Sequence, residues 1–275
     1  MGEIDLDAYF ARIGYAGPRE PTLEVLSALQ RAHPAAIPFE CLDPLLGRPV
    51  RLDPASLEAK LVRGGRGGYC FENNGVLWRV LQALGFEVTP LSARVRWMQP
   101  EDAPLGPLSH MLLKVDLEGE AFLCDVGFGG QSPTAPLRLE PDLEQATPHG
   151  IYRVLSRDGG FELQMRLPDR WAALYRFNLE PRLAPDYEVA NWFTSTHPMS
   201  RFTNGLMVSR APEGRRLNLL DLGLTTYSVE GVEERLIGSA EELHAVLSGD
   251  FGLRVTPEEA GQVFAKLAPG ETALA

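Results

Sequence analysis

A chain of 275 residues with 44% hydrophobic content buries a sizeable core and exceeds the length at which one core stops growing, which implies two or three subdomains. The formal net charge of -11 argues against nucleic acid or an anionic membrane surface as the main partner, because both need clustered Lys and Arg to displace counterions. Any anionic ligand must then be held locally, by backbone amides or a few arginines. The stretch from Met1 to Phe10 carries Glu3, Asp5 and Asp7 without a basic leader, and no segment approaches ~18 uninterrupted apolar residues, so neither export nor membrane spanning is expected. Three cysteines, Cys41, Cys70 and Cys124, form a sparse, odd set without zinc-site spacing. That usage fits reduced thiols in the cytoplasm, and no metal is expected.

Residues 5 to about 32 and 54 to 84 show helical spacing of Leu, Val, Phe and Ala, broken by the proline-containing stretch from Pro34 to Pro54. From Phe86 the pattern turns to alternation, with Leu91, Ala93, Val95 and Trp97 on one face and Ser92, Arg94 and Arg96 on the other. Strand patterning continues over His110–Leu117 and Glu120–Val126, then in shorter runs near Ile151–Leu155, Phe161–Leu167 and Trp171–Phe177. An antiparallel barrel or sandwich follows. Pro185–Phe193 reads as a short helix leading to strand-like runs from Leu206 to Ser228, and Ser239 and Thr256 read as N-caps of two closing helices.

The densest feature is Arg66-Gly67-Gly68-Tyr69-Cys70-Phe71-Glu72-Asn73-Asn74, which runs into a helix ended by Gly85. Cys70 falls in the first turn, where unpaired amides and the helix dipole favour an anion and hence a thiolate. The paired glycines before it leave room for another molecule to approach the sulfur. Taken alone, the same residues also describe a small buried hydrophobe after a turn.

A nucleophilic thiol needs an imidazole to take its proton, and the imidazole needs a carboxylate to fix its tautomer. Of five histidines, His33 and His197 precede prolines, His149 lies in a Pro-Gly loop, and His244 sits on a solvated helix face. His110 opens a strand. If Glu118-Gly119 is a two-residue hairpin turn, Leu117 pairs with Glu120, and His110 and Asp125 become diagonal neighbours on one sheet face while Cys124 and Val126 point away. A loop of another parity would separate them. Individually, His110 also reads as a satisfied strand histidine and Asp125 as a turn cap. Jointly with Cys70 they favour a thiol triad of Cys70, His110 and Asp125.

Arg66–Cys70, Ser109-His110 and Asp125-Val126-Gly127-Phe128-Gly129, with Pro38-Phe39-Glu40, Ala93-Arg94-Val95 and Ser195-Thr196-His197-Pro198, resemble the arylamine N-acetyltransferase family along nearly the whole chain. The resemblance implies an α+β multi-domain protein: a helical domain (1–85), an antiparallel β-barrel domain (86–184), a connecting helix (185–204) and an α/β lid (205–275), around a cysteine-protease-like core. It implies acetyl-coenzyme A as co-substrate, without metal or prosthetic group, and an arylamine or arylhydrazine as acceptor. It makes Phe39, Val95, Phe128 and Phe202 candidates for an aromatic acceptor pocket, although each alone reads as core. Gly127, Gly129 and Gly130 become candidates to face coenzyme A, a weak signal by itself. Glu40 and Arg66 are expected to pair beside the cysteine, and Cys41 stands where relatives often have Asn.

The expected cycle is ping-pong through acetyl-Cys70, with the last domain keeping water away. Rival readings are an amide synthase or other acyltransferase with the same triad, a thiol hydrolase, and a binding module with an inactive triad. Monomer and homodimer both remain open.

Overall fold

Asp5 and Thr22 open the first two helices, each accepting the amide three residues on (Ala8 N and Val25 N) as an N-cap. These are α1 (Leu6–Ile13) and α2 (Leu23–Ala36). The continuous helical spacing expected from residue 5 to about 32 is therefore interrupted, because Gly14 ends α1 in the left-handed region at φ 67. Pro34, read from sequence as a break, lies inside α2. The described residues are 4–268 of this computed structural model, so the outer ends of the expected first and last domains, 1–3 and 269–275, lie outside it.

After α2 come β1 (Phe39–Glu40), α3 (Leu42–Leu45) and α4 (Pro54–Leu57), which widens into a π-turn at Glu58–Arg63 before α5 (Cys70–Ala83). Buried Phe71, Leu77, Val80 and Leu81 of α5 pack with Tyr9, Phe10, Leu26 and Leu29. Met111, Leu113 and Val115, one face of the following sheet, close this core. Each such side chain contributes roughly 1.5–3 kcal/mol by burial, which fixes α5 firmly against that sheet.

The alternating middle segment forms β2 (Glu87–Val95), β3 (His110–Leu117), β4 (Glu120–Cys124), β5 (Leu137–Arg138), β6 (Gln145–Thr147), β7 (Gly150–Arg157), β8 (Gly160–Arg166) and β9 (Trp171–Phe177). Hydrogen-bonded order is β5-β4-β3-β2-β9-β8-β7-β6, every neighbour antiparallel. The sheet curls into a nearly closed eight-stranded barrel filled by Leu91, Leu112, Leu123, Tyr152, Leu163 and Tyr175. At the seam, the Gln145 side chain accepts from Arg138 N at 2.7 Å and donates to Arg138 O at 3.0 Å, so a side-chain amide stands in for the missing backbone ladder.

The chain continues through α6 (Ala184–Thr196), α7 (Arg201–Asn204), β10 (Met207–Arg210), β11 (Arg215–Leu220), β12 (Gly223–Ser228), β13 (Gly231–Leu236), α8 (Ala240–Gly249) and α9 (Pro257–Leu267). Ser239 and Thr256 are the N-caps of α8 and α9, as their sequence context suggested. Strand order in this second sheet is β1-β10-β11-β12-β13. Its first strand comes from the N-terminal third, a pairing too short to leave any periodicity. Val208, Leu217, Leu219 and Leu224 bury one face of the sheet against Leu243, Val246, Phe251 and Val263. No helix among the described residues is long and apolar enough to cross a membrane.

Candidate active site

Cys70 is the first residue of α5, nearly buried, and a set of buried charges braces the turn before it. Glu72 accepts the Tyr69 amide at 3.0 Å and the Lys60 ammonium at 2.7 Å, satisfying one of the orphan donors of the helix start. Lys60 also meets Asp43 at 2.6 Å, and Arg66 joins Glu40 at 2.8 Å and Asp43 at 3.4 Å. The Glu40–Arg66 pair expected from sequence is thus present. Burial raises the Glu72 carboxyl to about 7, Glu40 adding to the shift and Lys60 opposing it. Gly67 and Gly68 make room for the chain itself: a Cβ at Gly67 would lie 2.1 Å from Pro38 O, and one at Gly68 would lie 2.6 Å from Glu72 Cβ. The room expected there for a second molecule is taken by β1 and the cap.

In the β3–β4 hairpin, Glu118 (φ 53) and Gly119 (φ 84) make the two-residue turn, both in the left-handed region that such hairpins need. Leu117 pairs with Glu120, and the ladder runs to Leu113 opposite Cys124. It stops there. Asp125 therefore leaves the strand instead of pairing with Leu112, yet its Oδ2 accepts from His110 Nε2 at 2.7 Å. Oδ1 accepts from Asn74 Nδ2 at 2.9 Å and Gly127 N at 2.8 Å. With Nε2 committed to Asp125, Nδ1 is the imidazole nitrogen left for the thiol. Burial lowers the His110 pKa, but the Asp125 carboxylate and the Cys70 sulfur outweigh it and hold the imidazole up to about 10. The Cys70 thiol also makes a long contact, 3.7 Å from Sγ to Ser109 O.

Asn74 escaped the sequence reading. Four residues after Cys70, it lies one turn along the same helix face and is fully buried. Besides holding Asp125, it donates to Met111 O at 2.7 Å and accepts from Val126 N at 3.0 Å, tying α5 to β3 and to the turn that follows β4. Its visible signal is a polar residue amid the apolar positions of α5. Gly127 permits this contact, since a Cβ there would lie 2.6 Å from Asn74 Nδ2 and 2.7 Å from Cys70 Cα. Its amide is committed to Asp125, which leaves Gly129 and Gly130 as the glycines of this turn with amides free of that bond.

The aromatic candidates divide into two groups. Phe202 lies 6.0 Å from Phe39 and 5.6 Å from Tyr69, on the cysteine side. Phe128 stands edge-on to His110 at 5.0 Å, and Tyr175, which sequence reasoning missed, lies 4.9 Å from His110 and 5.1 Å from Phe128. Val95, at the end of β2 and paired in register with Tyr175, is 37% exposed. His33 and His149 are engaged elsewhere: His33 bonds Tyr9 and Asn73, and His149 bonds Thr134 and the backbone of Pro212 and Arg215. No cluster of three or more His, Cys, Asp or Glu side chains among the described residues could hold a metal ion. A cavity of about 320 Å³ is lined by Arg96, Glu101, Glu162, Trp171 and Arg176 and includes no residue of the Cys70 group.

A family model described as N-acetyltransferase matches residues 22–260. The chain belongs to the arylamine N-acetyltransferase family. It is an acyltransferase by that membership. Among curated relatives, the Mycobacterium tuberculosis H37Rv arylamine N-acetyltransferase is 46% identical over 255 residues, 92% of this chain and 90% of that protein. A Salmonella typhimurium relative, named arylamine N-acetyltransferase and N-hydroxyarylamine O-acetyltransferase, is 41% identical over 265 residues, covering 96% and 94% of the two chains. The Mycobacterium marinum arylamine N-acetyltransferase solved in complex with coenzyme A superimposes with a TM-score of 0.92 at 41% identity, over 96% of this chain and 99% of that one.

Proposed function

We propose that this arylamine N-acetyltransferase family member moves an acetyl group from acetyl-coenzyme A to an arylamine or arylhydrazine through acetyl-Cys70. The observation that carries the reading is the bonded pair of His110 Nε2 and Asp125 Oδ2 at 2.7 Å facing a cysteine at the start of a helix. Cys70 gives up its proton to His110 and attacks the thioester carbonyl. The tetrahedral oxyanion collapses, coenzyme A leaves as a thiolate that takes the proton back from His110, and acetyl-Cys70 remains beside a neutral imidazole. The acceptor nitrogen then attacks, His110 takes its proton, and Asp125 stabilises the imidazolium. Arylamines suit the second step because they are neutral near pH 7 and keep their lone pair. The mycobacterial relative solved with coenzyme A supports the choice of donor.

In this reading Phe39, Phe128, Phe202 and Val95 line the acceptor side, and Gly129 and Gly130 face the donor. Residues 205–275 act as the lid that keeps water from the thioester, after a helical segment (1–85), a barrel segment (86–184) and a connecting helix (185–204). Three free, buried cysteines fit work in the cytoplasm. The test is release of free coenzyme A from acetyl-coenzyme A with and without a hydrazine or aniline. Acceptor-dependent release that Cys70→Ala abolishes supports the reading, and release independent of Cys70 sinks it.

A further inference from the structure

Strand β11 alternates strictly. Leu217 and Leu219 enter the core of the C-terminal sheet, whereas Arg216 and Asn218 face the other way, toward the glycine turn of the barrel. A Cβ at Gly130 would lie 2.4 Å from Asn218 Oδ1, so sheet and turn are in direct contact there. Arg216 is only 6% exposed. Its guanidinium donates to Gly130 O, to Ser132 O at 3.0 Å and to the Tyr152 hydroxyl oxygen at 3.4 Å. Among the described residues its hydrogen-bond partners are these carbonyls and the hydroxyl, with no carboxylate among them, and its Nε is buried without a partner. A buried cation without a counter-ion is costly, and a folded chain that keeps one obtains something else from it.

The bonds lead back to the site. Ser132 Oγ accepts the Phe128 amide at 2.8 Å, and the Phe128 ring stands edge-on to His110 at 5.0 Å. Arg216 thus grips two carbonyls of the turn whose first residue walls the imidazole. The Tyr152 hydroxyl, donating to Gln131 O at 3.1 Å or Ser132 O at 3.2 Å, strengthens the same turn from inside the barrel.

We propose that Arg216 is a positioning residue for the proton-transfer pair: by clamping the 128–132 turn from the C-terminal sheet, it holds Phe128 against His110 and makes that sheet part of the site's geometry. The proposal builds on the assignment of His110 as the base for Cys70. When the clamp is cut, the turn relaxes, water reaches the imidazole, and its coupling to Asp125 and Cys70 is screened. Charge alone does not substitute, because a lysine ammonium cannot fork across two carbonyls as a guanidinium does.

The test compares Arg216→Met, Arg216→Lys and Ser132→Ala with the parent by the pH profile of iodoacetamide alkylation at Cys70, each at a temperature where circular dichroism shows it folded. The expected result is about a fivefold slower alkylation at pH 7 in Arg216→Met, with the profile shifted, and only partial recovery in Arg216→Lys. Ser132→Ala, which removes the hydroxyl that holds the Phe128 amide, should move the profile in the same direction, and Arg216→Gln replaces Arg216→Met if that variant does not fold. Leu243→Ala, a cavity in the helical cover of the same sheet away from the turn, should lower the melting temperature and leave the profile unchanged. Parent-like profiles in the folded Arg216 and Ser132 variants would overturn the proposal, as would an equal shift in Leu243→Ala. Alkylation needs no acetyl donor, so a failure of acetyl transfer in the parent would count against the proposed reaction and not against this clamp.

Discussion

Cys70 rests on a helix start braced by buried charges, whereas His110 and Asp125 rest at the mouth of a barrel hairpin braced by amides and aromatic rings. On the cysteine side, Glu40, Asp43 and Glu72 interleave with Lys60 and Arg66. On the histidine side, Asn74, Gly127, Phe128 and Tyr175 supply neutral hydrogen bonds and shape. The first support answers to pH and charge, because breaking a buried pair strands an ion. The second answers to geometry, because a few tenths of an ångström decide whether the carboxylate meets the imidazole. Asn74 belongs to both, rising from α5 to hold the barrel's aspartate.

The largest effect expected is on the geometric side. Asp125→Asn keeps the volume but loses the acceptor that fixes the imidazole, and turnover should fall on the order of 10⁴-fold with the fold retained. Steady-state kinetics beside circular dichroism would read this, and a fall of less than tenfold would dissolve the distinction drawn here.

On the charged side, Lys60→Met removes the cation facing Glu72 and should cost about 3 kcal/mol at pH 8. The sign follows from the folded carboxyl lying near 7 against 4.5 when unfolded. The folded state holds the proton across that window, so this contribution to stability is full below about 4.5 and is lost as pH rises through 7. Urea melts should therefore show a smaller penalty for Lys60→Met at pH 6 than at pH 8, and a pH-independent penalty would refute the charge account.

Gly127→Ala probes the join. Its Cβ would lie 2.6 Å from Asn74 Nδ2 and 2.7 Å from Cys70 Cα, so a loss of about 1–3 kcal/mol in stability is expected, with a disproportionate loss of Cys70 alkylation. Alkylation unaffected in a destabilised variant would separate packing from site geometry.

The smallest effect concerns His33, where burial, with Arg12 adding, outweighs the Asn73 hydrogen bond and lowers the imidazole to about 4. Here the sign reverses relative to Glu72: stability is full above 6.5 and is lost as pH falls toward 4, by up to about 1.4 kcal/mol per pH unit. Denaturation series at pH 7 and 5 should differ less in His33→Gln than in the parent.

Much of this comparison is written locally in the chain. A glycine in a two-residue turn sets the β3–β4 register, and that register carries His110 toward Asp125. Helix starts at Asp5, Thr22, Ser239 and Thr256 follow from caps that act within three residues. What stayed illegible depends on distant partners. β1 is two residues long and shows itself through its pairing with β10 and its bridge to Gly68; Tyr175 and Arg216 reach the site only once the barrel curls and the second sheet docks. β13 is exposed along its whole length, so no buried face marked it. Asn74 was legible in principle, as the amide one turn beyond the cysteine, but an amide inside a helix announces no partner.

The central claim is that Cys70 carries the acetyl group. Intact-mass and peptide mass spectrometry after mixing the protein with acetyl-coenzyme A and no acceptor tests it directly. The account predicts a single added acetyl group, located on Cys70, removed on adding a hydrazine or aniline and absent in Cys70→Ala. An unmodified Cys70 while coenzyme A is released into an acceptor-containing mixture, or an acetyl group on another residue that turns over, would contradict it.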